Sequence, residues 1–298
     1  MRSNDQETRL KTLTTGEVVA AYYELTKPRI TFLVVLTAAA GYCLGSPHSV
    51  AYAGLFHLSV GIALLSSGIG ALNQYIERDL DSLMRRTAGR PLPAGKVTAA
   101  GALIFGTVLC SLATGYIAVF VNTMSSILGV LTLASYLFVY TPLKTRTTLS
   151  TFLGAFPGAM PPFIGWVAAR GSAGIEAFIL FAILFLWQFP HFLAIAWMYR
   201  DDYARAGIKM LPVVEPEGRV TSQQIIAYTV LLMPVSLLPF AVRLAGPVYL
   251  AGAVIVGGVF FYYSIRAAVG RTPRQARELL LASVLYLPVL FGLMVFNR

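Results

Sequence analysis

Asn73, Glu77 and Asp81 stand four residues apart, so on a helix they project from one side in a single row. An amide and two carboxylates in such a row make a cage of hard oxygens with an open side. That suits Mg²⁺, an ion usually held by one or two carboxylates together with substrate phosphates. Asp79 falls off the row on an unbroken helix and joins it only where the backbone unwinds near Leu80. Arg78, Arg85, Arg86 and Arg90 lie close by, and their forked donors match whatever phosphate oxygens a metal leaves free. The expected ligand is a phosphorylated molecule delivered with Mg²⁺. The competing reading is a capped, salt-bridged helix end, since Asp81 and Arg85 form an i, i+4 pair in the favoured order and charge runs are commonly solvated faces.

The elements that must position this row are set by composition. The chain of 298 residues is 57% hydrophobic and 12% charged, with mean hydropathy +0.70, against roughly 25% charged residues in an ordinary soluble domain. It reads as an all-α integral membrane protein. Runs of about 20 apolar residues, the length that crosses about 30 Å of hydrocarbon, fall near 28–46, 50–75, 98–120, 122–140, 149–169, 175–199, 222–243, 247–265 and 278–296. Nine helices around a central cavity are expected.

With the N-terminus inside, twenty of the twenty-three lysines and arginines fall on the cytoplasmic side, leaving Arg170, Arg243 and Arg298 outside. The formal charge of +10 is then topology, plus affinity for anionic lipid and phosphorylated substrate; nucleic acid is not called for. Residues 1–26 read as a polar cytoplasmic segment without a signal-peptide core, and 27–298 as one membrane-embedded domain. Thr26 and Pro28 suit the N-cap and first turn of the first span. Lys27 and Arg29 sit level with the Asn73 row, either as a topology signal or as phosphate contacts. Cys43 and Cys110 are far apart in apolar spans and support no redox or metal motif.

A second polar cluster, Tyr199, Arg200, Asp201, Asp202, Tyr203, Arg205 and Lys209, follows the sixth span as the first cluster follows the second. Two parallel four-helix repeats plus an appended ninth helix would bring both loops over one opening. Span four ends in Tyr140-Thr141-Pro142-Leu143-Lys144. Span five carries Gly154, Pro157, Gly158, Pro161, Pro162 and Gly165, helix breakers that either line a cavity or permit close packing. His191 lies nine residues before Arg200, roughly 13 Å along the helix, and reads as a substrate contact or a hydrogen-bonded structural residue.

The stretches Leu25-Thr26-Lys27-Pro28-Arg29-Ile30, Asn73 to Gly95, Pro161-Pro162-Phe163-Ile164-Gly165-Trp166, Trp187-Gln188-Phe189-Pro190-His191-Phe192 and Asp202-Tyr203-Ala204-Arg205-Ala206-Gly207-Ile208 followed by Met210-Leu211-Pro212 resemble the UbiA superfamily of intramembrane prenyltransferases, the last two its heme-modifying branch. The resemblance spans nearly the whole chain. It departs from the superfamily pattern in two places. Glu77 stands where the row's first aspartate is expected, and Arg205 and Ala206 stand four residues after Asp201 and Asp202, where many relatives repeat the aspartate.

The resemblance implies transfer of farnesyl from farnesyl diphosphate to a vinyl group of heme b, with heme b a substrate and Mg²⁺ the cofactor. It implies a multi-pass place in a bacterial inner membrane, a cytoplasmic active site, and heme A synthase or terminal oxidase assembly downstream. By the same resemblance Asn73, Glu77, Asp81 and Asp202 hold the metal. Arg29, Arg78, Asp79, Arg85, Arg90, Tyr140, Lys144, His191, Arg200, Tyr203 and Lys209 are then expected around the substrates. The rival readings are a prenyltransferase acting on a quinone or chlorophyll precursor, a polytopic transporter, and a noncatalytic heme-handling factor.

Overall fold

A computed structural model describes residues 13–298; Arg2, Arg9 and Lys11, three of the expected inner cations, lie outside them. Among the described residues there is no strand, and nine helices are long and apolar enough to cross a membrane. After a short helix α1 (Thr15–Leu25) these are α2 (Pro28–Gly45), α3 (Tyr52–Leu83), α4 (Ala99–Phe120), α5 (Thr123–Leu143), α6 (Ser150–Arg170), α7 (Ile175–Met198), α8 (Arg219–Ala241), α9 (Pro247–Gly270) and α10 (Pro273–Phe296). The chain is a multi-pass membrane protein.

Several boundaries differ from expectation, α9 running to Gly270 and α10 starting at Pro273 among them, and three of the differences have a local reason. Part of the expected polar segment 1–26 is helix α1, opened by a capping box in which Thr14 and Glu17 satisfy each other's backbone. Ala21 and Leu25 bury its inner face against Ala71, Leu92, Val97 and Ala102. Thr26 ends α1 rather than capping α2; the N-cap of α2 is Lys27, in the left-handed region at φ 49°. That conformation costs a lysine on the order of 1–3 kcal/mol. Finally, α3 runs unbroken to Leu83, eight residues past the expected end of its span.

Consecutive spans pack side by side. α6 also returns onto α2, and α10 onto α7, so contact groups the spans as α2–α6 and α7–α10, joined where α6 meets α7 and α10 meets α2. The α2/α6 seam is close because it is glycine-lined: Gly165 lies under the carbonyl of Ala38, and Gly41 under that of Pro162. Gly154 admits the ring of Tyr140, and Gly158 the amide of Gln188. Of the two readings of the fifth span, close packing accounts for its glycines.

The long connections rich in charge gather at one end of the bundle. The Lys209 N–H donates to the Lys144 carbonyl (2.8 Å), tying the two halves together, and the Arg271 guanidinium reaches the Glu217 carbonyl (3.1 Å). At the other end the links are short. Asn122 caps its own helix and donates to the carbonyls of Val167 and Ala168, and the Gly246 N–H donates to Asn297.

A Cβ on Gly165 would collide with the Ala38 backbone, whereas one on Gly115 meets no atom within 4 Å. Gly165→Ala should lower stability in detergent by roughly 1–3 kcal/mol, seen as a fall in Tm, and Gly115→Ala should leave Tm unchanged or slightly raised; equal effects would place the seam elsewhere.

Candidate active site

The row on α3 forms as its spacing requires, but inside the protein rather than at a solvated helix end: Asn73 is 2%, Glu77 7% and Asp81 0% exposed. A buried carboxylate needs a counter-charge and hydrogen bonds, and each here receives a cation from a different segment. The Lys144 ammonium, just past α5, donates to Glu77 Oε1 at 2.6 Å. Arg90 Nη1 donates to both oxygens of Asp81 at 2.7 Å. The Lys27 ammonium donates to Asn73 Oδ1 at 2.8 Å, while Asn73 Nδ2 donates to Thr141 Oγ1 at 3.4 Å.

Local structure explains how each cation arrives. The loop after α3 is wound into turns by Arg90 N–H to Thr87, Ala94 N–H to Arg90 and Lys96 N–H to Pro91, with Gly95 at φ 72°. Leu92 and Val97 anchor it under α1, and the Thr87 hydroxyl donates to the Asp81 carbonyl (2.9 Å). Arg90 is thereby held over Asp81. Near the end of α5, Ser135–Tyr140 is a π-helix, a widened stretch of a kind that recurs at functional sites. It delivers Thr141 and Lys144 to the row, with the Lys144 ammonium 4.4 Å from the Tyr140 ring centre and Tyr140 edge-on to Tyr136 at 5.1 Å.

The second cluster docks on the end of α3. Asp202 is buried and accepts from the backbone N–H groups of Arg85 (3.4 Å) and Arg86 (3.3 Å); its counter-charge is Arg205. Arg205 also donates to the Leu83 carbonyl, so it is engaged as an internal partner of Asp202. The Arg86 guanidinium lies over the rings of Tyr199 and Tyr203, 5.1 and 5.9 Å from their centres.

Two lysines carry the electrostatic signature of this crowding. Burial first, and the Arg90 charge second, push the Lys27 ammonium down to about 7. Burial opposes the Lys144 charge as well, but Tyr140 and Glu77 outweigh it and hold that ammonium above the usual lysine range.

The structure therefore brings together Asn73, Glu77, Asp81, Arg90, Tyr140 and Lys144, with Asp202 and Tyr203 in the adjoining loop. Asp79 stays off the row because α3 does not unwind; its side chain is 86% exposed, at 3.9 Å from Arg78. Arg78 turns back to the Tyr75 carbonyl and ring. Arg29, Arg85 and Lys209 are exposed, and Asp81 pairs with Arg90 in place of the expected Arg85. Arg200 faces Asp201 and the Pro216 carbonyl. His191 Nδ1 is hydrogen-bonded to the Ser283 hydroxyl at 2.7 Å, with its ring stacked on Trp187, so that nitrogen joins α7 to α10. Among the described residues no three His, Cys, Asp or Glu side chains stand close enough together to hold a metal; the expected four-residue cage is divided among separate cation pairs. Lys27, Arg86 and Thr141 complete the site; Lys27 and Arg86 were read from the sequence as possible phosphate contacts, and Thr141 was given no role. No local signal gives their partners, which lie 46, 117 and 68 residues away.

Residues 34–288 match the model of the UbiA prenyltransferase family. The chain belongs to that family. It is 51% identical over 288 residues to the protoheme IX farnesyltransferase of Solibacter usitatus (strain Ellin6076), an alignment covering 93% of this chain and 98% of the relative. Among solved structures it is similar to a digeranylgeranylglyceryl phosphate synthase (TM-score 0.78, 18% identity, covering 94% of this chain and 98% of the other). It is also similar to a UbiA homologue from Archaeoglobus fulgidus bound to DMAPP and Mg²⁺ (TM-score 0.65, 15% identity, 92% and 98%). At these identities the structures establish the UbiA fold.

Asp79 and Asp81 give a direct contrast within this UbiA site. Asp81→Asn leaves Arg90 without its counter-charge and should cost on the order of 3 kcal/mol of stability as well as prenyl transfer, whereas Asp79→Asn should leave both unchanged. Melting in detergent and single-turnover consumption of a prenyl diphosphate measure the two; loss of activity in Asp79→Asn would mean that α3 unwinds.

Proposed function

We propose that the chain transfers farnesyl from farnesyl diphosphate to a vinyl carbon of heme b, with Mg²⁺, at the charged end of the bundle, on the cytoplasmic side of a bacterial inner membrane. One observation carries the reading: a chain half identical, end to end, to a protoheme IX farnesyltransferase has its acid row buried and matched by cations able to meet a diphosphate. The excess of Lys and Arg on the charged connections supports the orientation.

Asn73, Glu77 and Asp81, with Asp202, are the residues that would hold Mg²⁺. Their chemistry fits: all are hard oxygen donors, and in the structure the Lys144 ammonium and the Arg90 guanidinium stand in for a cation on the two row carboxylates. When bound, the ion neutralises charge that builds on departing pyrophosphate.

The remaining work falls to the chain. Lys27, Arg90 and Lys144 donate to phosphate oxygens, orienting the C–O bond that breaks. Burial of the row excludes bulk water from the allylic cation. The face of Tyr140, already turned to the Lys144 ammonium, suits a developing positive charge. A new C–C bond forms to the vinyl carbon, pyrophosphate leaves, and addition of water with loss of a proton completes the hydroxyethylfarnesyl group. With His191 Nδ1 engaged by Ser283, a heme contact from this residue would use Nε2.

Expression in cells lacking their own enzyme should add heme O to the heme pool by mass analysis, and Glu77→Gln should abolish it while the protein stays inserted. A prenylated quinone precursor with no heme O would overturn the acceptor. His191→Ala should weaken heme binding about tenfold, the loss of one good contact, and leave farnesyl diphosphate binding unchanged; equal loss of both would make the histidine purely structural.

A further inference from the structure

Each row residue already touches a basic side chain from outside α3, and for both carboxylates that partner is a cation. Lys144 lies on Glu77 at 2.6 Å, Arg90 on Asp81 at 2.7 Å and Lys27 on Asn73 at 2.8 Å. The pairs are enclosed, with side-chain exposure of 14% for Lys144 and 24% for Arg90. A dication approaching alone would have to displace these groups and leave them buried without partners, a costly arrangement. A metal arriving with a diphosphate brings anionic phosphate oxygens that accept the displaced cations.

We infer that Lys144 and Arg90 are placeholders for the metal: the ligand row is closed to a free divalent ion and opens when a diphosphate takes over the two cations. The same side chains serve both states, as counter-ions of Glu77 and Asp81 before loading and as phosphate donors after it. Metal and diphosphate binding are therefore positively coupled, and the coupling resides in these two side chains rather than in a moving lid. This rests on the metal and diphosphate roles proposed above and adds how they are linked. It does not depend on the acceptor.

The prediction is a pair of opposite shifts. In Lys144→Gln, Glu77 is released, so Mn²⁺ alone should bind about tenfold more tightly, while labelled pyrophosphate with chelator present should bind about tenfold more weakly, one charge-assisted contact in each case. Lys144→Arg should keep the wild-type pattern. Arg90→Gln, acting on Asp81, should repeat the antiparallel shift. The loss of the free Mn²⁺ resonance on titration with purified wild type and variants reads the first quantity, and retention of pyrophosphate on the immobilised protein reads the second. Parallel losses in Lys144→Gln and Arg90→Gln would mark merely structural residues and overturn the inference, as would a Mn²⁺ affinity that neither substitution changes. Heme is absent from the experiment, so an antiparallel shift in a protein that makes no heme O would sink the proposed acceptor alone; heme O formation with parallel shifts would sink this inference alone.

Discussion

Two carboxylates buried in one face of a membrane helix cannot stand without positive charge beside them, and the rest of the charged end is built to supply it. Glu77 and Asp81 would each cost several kcal/mol if buried alone. Lys27 comes from the strained junction before α2, Arg90 from the wound loop after α3, and Lys144 from just past the π-helical stretch near the end of α5. Three otherwise unrelated irregularities, a left-handed lysine, a multiple-turn loop and a widened helix, share this single electrostatic purpose.

Asp202 extends the same logic to the second half of the chain. It uses two backbone N–H groups at the end of α3 and the Arg205 guanidinium, which fastens the loop after α7 onto the row without spending a row carboxylate. Arg205, four residues after Asp201, is a counter-ion of Asp202, so the second loop is positioned by charge pairing before any ligand is present. Gly70 on α3 leaves room for the Leu25 carbonyl and the Lys27 stem, which keeps Lys27 within reach of Asn73.

Much of this was legible in the sequence. The i, i+4, i+8 spacing of Asn73, Glu77 and Asp81 declares a row, and the nine apolar runs declare the helices that carry it, because both depend on local periodicity. Hydropathy alone ends the second span near residue 75, but the row asks for helix through Asp81, and α3 carries it to Leu83. α1 was hidden by its sparse apolar face, only Ala21 and Leu25 being buried. Above all, pairings were not legible: Arg90 rather than Arg85 on Asp81, Lys144 on Glu77, Arg205 on Asp202. Local rules favoured Asp81 with Arg85, but a buried carboxylate takes the guanidinium that the loop can enclose, and Arg85 points outward. Asp79 shows the converse case, a carboxylate whose spacing was right to doubt.

The account as a whole claims that the Asn73–Glu77–Asp81 row is where metal and prenyl diphosphate meet. The most direct measurement is anomalous diffraction from crystals grown with Mn²⁺ and a non-hydrolysable farnesyl diphosphate analogue. The account predicts manganese on the carboxylates of Glu77 and Asp81 with Lys144 and Arg90 swung onto the diphosphate; manganese and diphosphate bound elsewhere, with both ion pairs intact, would contradict it.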